Sequence, residues 1–433
     1  MKVTTIAIKN KFKLFIILFC YIFAFYISGI SVSILLGIIL WIYASFNKEL
    51  WNICLKVFSL FYIKKVLTTW FIVTFFSTCI PIIFQTFDFS FCRIIFAQLI
   101  HIIAAIPVFG WLKYKRITNN EIQHYFIYIF VVQTFIQLTV LSVPSLGNLI
   151  LKFNNYDPES VVGLGQGIRG KALSAATTYH LTMAYGIAFI VYIKVYFKNN
   201  INLVHIVIGI CLFVGIFFAG RSGFIGCFIG AIGFIIYPQI NTKHKCYIAF
   251  KSLFYITISV ASIYCLLKHI APEFINLLNE QILPYAFEFL YSLDSSGEME
   301  TASTNRLKEM WETKFKISEF LIGSGKYSNP DGSYYMHVDP GIIRHLLYMG
   351  IFGYVLLVIY QFTLLPVHRI QDKSTKHYYS LILLFLFAME FKCVNIAVNK
   401  FAFAISLLLS YSYFYLNDSN ETNPISNSLP PIK

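Results

Sequence analysis

The chain has 433 residues, of which 58% are hydrophobic and 12% charged, with a formal net charge of +14 at pH 7. That charged fraction is about half that of a soluble domain, and a mean hydropathy of +0.68 over such a length excludes a soluble fold with one anchor. The basic residues fall in short links between apolar runs, the pattern membrane orientation produces, so no nucleic-acid partner is expected.

Taken in order, apolar runs occupy about 14–29, 31–46, 66–86, 89–110, 122–143, 175–193, 201–219, 222–238, 252–268, 346–366, 378–398 and 401–416. They predict an all-α polytopic membrane bundle of about 12 transmembrane helices, covering residues 1–416. The first two runs share only Ser28-Gly29-Ile30-Ser31 as a turn. Lys2, Lys9, Lys11 and Lys13 precede a run without a small-residue cleavage site, so the N-terminus reads as a retained span rather than a signal peptide. With that end in the cytoplasm, twenty of the thirty-four Lys and Arg residues fall on the cytoplasmic side. The opposite short links hold only Arg221, with Lys400 beside one of them. Both termini are therefore expected inside, and two long loops, 144–174 and 269–345, outside. The tail, 417–433, is rich in Asn, Ser and Pro and is expected to be a disordered cytoplasmic segment. The nine cysteines all lie outside the two long loops, so no disulfide framework or CxxC metal site is expected.

The second loop holds eleven of the chain's twenty acidic residues and reads as the working surface. After a polar start, Leu307, Met310 and Trp311 recur at helical spacing, which predicts an amphipathic helix with Arg306 in its first turn. Arg306 is either catalytic or simply solvated. Leu321-Ile322-Gly323-Ser324-Gly325-Lys326-Tyr327 follows and is not a P-loop, since GxxxxGK[ST] is absent. Asp339 and Arg344, five positions apart at a helix entry, can face one mouth; Asp339 can also be the cap of that helix. In the first loop, Gly163-Leu164-Gly165-Gln166-Gly167-Ile168-Arg169-Gly170-Lys171 has no strand and helix around it to make a dinucleotide site. Its flexible N–H groups with Arg169 and Lys171 suit an anion at the membrane surface, and an ordinary loop with two snorkelling cations is the bland reading. Arg221, in a short outward turn, is either a snorkelling arginine or a cation aimed at phosphate. Glu390 and Lys392 sit in an apolar run, where charges mark a functional site or a structural ion pair.

Arg306-x4-Trp311, Leu321-Ile322-Gly323-x-Gly325, Asp339-x-Gly341-x2-Arg344 and Gly350-Ile351-Phe352-Gly353, followed by Glu390-x-Lys392, together resemble the Wzy-type O-antigen polymerases over roughly residues 160–400. The related O-antigen ligases share the architecture but usually carry histidine at the position of Asp339. The resemblance implies a metal-independent glycosyltransferase of membrane helices with GT-C-like architecture in the bacterial inner membrane. Its active site would be periplasmic and its substrates glycans on undecaprenyl pyrophosphate, with a chain-length regulator and a flippase as partners. No cofactor or metal is expected. Neutralising a departing pyrophosphate needs a divalent ion or several arginines, and this chain offers Arg169, Arg221, Arg306 and Arg344 but no DxD pair. The acceptor hydroxyl needs a base, for which Asp339, His337 and His345 are candidates; Lys171, Glu390 and Lys392 are candidates for substrate binding. Three rival readings stand: an O-antigen ligase, a lipid-linked oligosaccharide flippase, and a non-catalytic assembly or chain-length partner, for which few spans and a long coiled periplasmic domain would be expected. The flippase would not need the long outward loop and would be expected to show repeat symmetry.

Overall fold

The structure, a computed structural model, describes residues 2–154, 172–176, 178–198, 201–270, 279–280, 302–314 and 316–416. Arg169, Lys171, most of the interval 271–301 and the tail 417–433 lie outside the described residues.

The first helix, α1 (Lys2–Phe23), leads into an antiparallel pair, Tyr26–Ile27 with Ile30–Ser31, closed by Ser28 and Gly29 at φ 50° and 80°. Positive φ at both corners is the turn that matches strand twist, so the first two apolar runs fold back at the expected place. Then follow α2 (Val32–Ser45), α3 (Lys48–Ser59), α4 (Phe61–Ile83), α5 (Ser90–Tyr114), α6 (Asn119–Ser142) and α7 (Pro144–Leu151). Next come α8 (Tyr179–Tyr196), α9 (Leu203–Ala219), α10 (Gly223–Ile236) and α11 (Thr242–Ile270). Two short helices, α12 (Ala302–Trp311) and α13 (Ile317–Ile322), precede α14 (Gly341–Leu364), α15 (Lys373–Glu390) and α16 (Lys400–Tyr415). By length and composition α4, α5, α6 and α14 can cross a membrane, and α2, α9 and α10 are shorter apolar helices. The chain is thus a helical protein suited to a bilayer.

A helix covers all or most of each apolar run, and the differences in extent have local causes. Capping side chains set several boundaries. The Thr118 hydroxyl accepts the Glu121 N–H at 3.2 Å while the Glu121 carboxylate accepts the Thr118 N–H at 2.9 Å, starting α6. Asp372 accepts the Thr375 N–H at 2.7 Å and draws the start of α15 ahead of the apolar run. That helix then stops at Glu390, eight residues short of the expected end, so Glu390 is its last residue and Lys392 lies in the turn after it. The α3 helix occupies what the apolar pattern presents as a link, because Leu50, Cys54 and Val57 form a stripe too short to span; all three are buried.

Interior contacts are aromatic and close. Phe109 of α5 stacks on Tyr411 of α16 with centroids 4.3 Å apart and planes at 6°, a pairing worth about 0.5–1.5 kcal/mol beyond its area. The Tyr360 hydroxyl donates to Gln98 at 2.9 Å, and the Gln98 amide donates to the Ala397 carbonyl at 2.7 Å. These bonds tie α5, α14 and the turn before α16 through fully satisfied buried polar groups.

Candidate functional site

At one end of the bundle the C-termini of α4 and α15 meet the N-termini of α5, α8, α14 and α16, with α12, α13 and the segment 323–340 laid across them. The α4–α5 turn is the anchor. Asp88 in that turn accepts the N–H groups of Tyr327 at 2.6 Å, Ser328 at 2.7 Å and Ser90 at 3.0 Å. Partial burial raises its carboxyl, but the bonds to Ser90, Ser328 and Tyr327 outweigh this and hold it below the ordinary aspartate value. Thr86 in the same turn donates to the Gly325 carbonyl at 2.6 Å.

Two of the sequence motifs pack onto each other. Gly350 interrupts α14 with φ 65°, which only glycine adopts without strain, and so frees carbonyls of the preceding turn. The N–H of Ser324 bonds to the Leu347 carbonyl at 2.7 Å, and that of Gly325 to the Tyr348 carbonyl at 3.0 Å. The Leu321-Ile322-Gly323-Ser324-Gly325 motif thus satisfies the break made by the Gly350 motif.

Arg344 belongs to α14, which begins at Gly341, five residues before the apolar run was expected to start. It is 3% exposed, with the guanidinium carbon 3.1 Å from the Tyr334 ring centroid and 3.8 Å from that of Tyr327. One Nη donates to the Tyr327 carbonyl at 3.4 Å, while Nε has no partner among the described residues. Two aromatic faces and a backbone oxygen therefore orient a cation whose buried Nε–H is left unused. Tyr334 is 43% exposed, so this side of the sandwich opens outward.

Asp339 lies beside this arginine, half-buried, its N–H directed at the Met310 sulfur at 3.4 Å. It does not cap α14: the capping position is Pro340, and no side chain caps that end. Burial raises the Asp339 carboxyl above its ordinary value, against the opposing pull of Arg306 and Arg344. Arg306, exposed, comes from α12, the amphipathic helix expected from the sequence. This helix is moored by the Trp311 indole, which donates to the Phe391 carbonyl at 3.1 Å and stacks on the Phe391 ring at 5.6 Å.

Beneath this layer one Glu390 oxygen accepts the N–H groups of Asn395 at 2.7 Å and of Ile396. Its second oxygen is 3.9 Å from His345 Nε2 and makes no hydrogen bond among the described residues. A Cβ at position 341 would collide with that oxygen, so the glycine of Asp339-x-Gly341-x2-Arg344 is the space Glu390 occupies. His345 is fully buried against Phe91 at 5.5 Å and faces Glu390 rather than the mouth shared by Asp339 and Arg344. His337 is exposed in a left-handed turn with φ 55°. Lys392 is half-buried in the turn after α15. Arg221 is half-buried; its turn is held through Thr182 of α8, whose hydroxyl donates to the Gly220 carbonyl and accepts the Gly223 N–H at 3.0 Å. Tyr179, three residues earlier in α8, donates to the Cys393 carbonyl at 3.2 Å, so the Arg221 turn and the Glu390 turn share one helix end.

Sequence spacing alone brings out Arg306, Asp339 and Arg344 but not Asp88, Tyr327 or Tyr334. Asp88 carried a signal, as the one acidic residue in a short outward link. The tyrosines carried none, among the chain's 29.

The fold and the site define a helical protein with bilayer-suited helices and a cluster of arginines and carboxylates at one end of the bundle. Compared with protein-family models, with curated proteins and with solved structures, the chain matches none.

Proposed function

We propose that the chain is a polysaccharide repeat-unit polymerase of the Wzy type, with about 12 transmembrane helices, both termini cytoplasmic and the site at the periplasmic face of the bacterial inner membrane. It would transfer a growing glycan from undecaprenyl pyrophosphate to the terminal sugar hydroxyl of another lipid-linked repeat unit. The observation that supports this best is the juxtaposition of Arg306 and Arg344 with the half-buried Asp339. In this reaction the acceptor hydroxyl gives its proton to a base as its oxygen bonds to the anomeric carbon. The bond from that carbon to the pyrophosphate breaks, and the leaving oxygens take up negative charge. Asp339 is the base in this reading, and Arg306 and Arg344 meet the charge, with the unused Nε of Arg344 available to an oxygen. Arg221 and Arg169 would extend the set. Glu390 and Gly341 position the start of α14.

The test is the banding of lipopolysaccharide after gene deletion. A polymerase leaves a single repeat unit on lipid A-core, because ligation continues without polymerisation. Loss of all attached glycan would assign the chain to the ligases, and unchanged polymer would remove both readings.

A further inference from the structure

A second feature lies on the opposite side of α5 from the site. Phe91 points its ring at Tyr327, His345 and Tyr348. Arg93, two positions on and about 200° further round the helix, faces elsewhere. With Ala97, Gln98 and His101 of α5 and Lys400 and Phe403 of α16, it lines a cavity of about 190 Å³. Positions 93, 97 and 101 lie along one face of α5, and 400 and 403 along one face of α16, so the cavity is a groove between two helices. Eight residues of helix make it about 12 Å long.

Its walls are apolar and its rim is cationic. Arg93 is exposed, and its guanidinium has no hydrogen bond or ion pair to another described residue. Lys400, also exposed, donates to the Tyr26 hydroxyl at 2.8 Å and meets no carboxylate among the described residues. Both cations lie in the first turn of a helix, where the helix dipole adds to the field for an anion; the first free N–H groups of α16 are already taken by Asn399, so the two side chains carry the binding. Gln98 is already satisfied by Tyr360 and Ala397, and His101 engages Ser33 through Nδ1 at 3.2 Å, so Arg93 and Lys400 are the charged partners the groove offers. Two cations at one end of a short apolar channel, parallel to bilayer-suited helices, match a phosphate joined to a hydrocarbon chain. A snorkelling cation would account for either residue alone but not for the channel beneath both.

We propose that this groove binds one anionic phospholipid of the bilayer, with its phosphate between Arg93 and Lys400 and an acyl chain along Ala97, His101 and Phe403. In lipid, burial of the chain adds little, because surrounding tails are equally apolar. Selection therefore rests on the headgroup charge. The site stands independently of the polymerase reading.

The test is native mass spectrometry of the full-length protein in detergent, titrated with phosphatidylglycerol, phosphatidylcholine or undecaprenyl phosphate. Phosphatidylglycerol should be retained in preference to phosphatidylcholine. The Arg93→Gln/Lys400→Gln variant, changed at two exposed positions, should bind it about thirtyfold less tightly, from about a fivefold loss per cation near the surface. Lys113→Gln, an exposed cation at the other end of α5, should leave retention unchanged. Equal retention of the two phospholipids would overturn the proposal. So would an equal loss in Lys113→Gln, or no loss in the double variant. Preference for undecaprenyl phosphate over phosphatidylglycerol would replace the phospholipid with a prenyl-phosphate ligand and likewise overturn it.

Discussion

The protonation of Asp339 is set by its burial and by two neighbouring arginine charges. Burial alone favours the neutral acid, and the two arginines restore part of the preference for the carboxylate. If the carboxylate is the base, activity falls as the pH drops through the Asp339 value, which lies above the ordinary aspartate value of 3.8. Arg306→Ala removes one of the opposing charges, so the acid limb of the pH–rate profile should move to higher pH. Loss of a charge-assisted contact to the transition state should also lower the rate about a hundredfold. Both effects are read from one profile of polymer formation in membranes. A lower rate with an unmoved acid limb would separate Arg306 from Asp339. Arg344 differs from Arg306 because its planar group lies between two tyrosine rings, a fit that a lysine ammonium does not reproduce.

At the scale of elements, α14 holds its broken turn only because another segment completes its hydrogen bonds. The Ser324 and Gly325 N–H groups do this, and Asp88 and Thr86 fix that segment from below. The α4–α5 turn is therefore the support of the Arg344 sandwich, since Tyr327 hangs from Asp88 by its own N–H. The folded-state value of Asp88 is depressed, so its contribution is fully present above the ordinary aspartate value and is lost only as the pH falls through the lower one. At neutral pH, Asp88→Asn should loosen residues 326–328 and expose the bond after Lys326 to trypsin. A tenfold faster cleavage there would correspond to about 1.4 kcal/mol of local opening. Cleavage at the wild-type rate would mean that Thr86 and the α14 carbonyls suffice.

For the whole molecule, the elements that meet at the site enter it by alternate ends: α4 and α15 by their C-termini, α5, α8, α14 and α16 by their N-termini. These are the ends that the basic residues assign to one side. A cysteine at the exposed Asp331, in a variant lacking the nine native cysteines, should therefore react with a membrane-impermeant thiol reagent in intact spheroplasts. Reaction only after lysis would place the site on the other face and remove the periplasmic assignment.

The helices and their order were legible because hydrocarbon thickness imposes a length on apolar runs, and that length survives in one dimension. Caps such as Asp372 moved their ends by several residues, and α3 escaped notice because an amphipathic stripe of twelve residues has no such length. Arg306, Asp339 and Arg344 stood out as charges in an apolar chain, since charge is costly there without a purpose. What the sequence determined by itself was this set of helices and the charges at their ends. Only the tertiary structure decided which charges meet. It placed Glu390 against Gly341 and His345, turned His345 away from the mouth, and hung Tyr327 from Asp88, 239 positions earlier. The reason is that such pairings depend on which helix ends lie side by side, and no local pattern of residues records that.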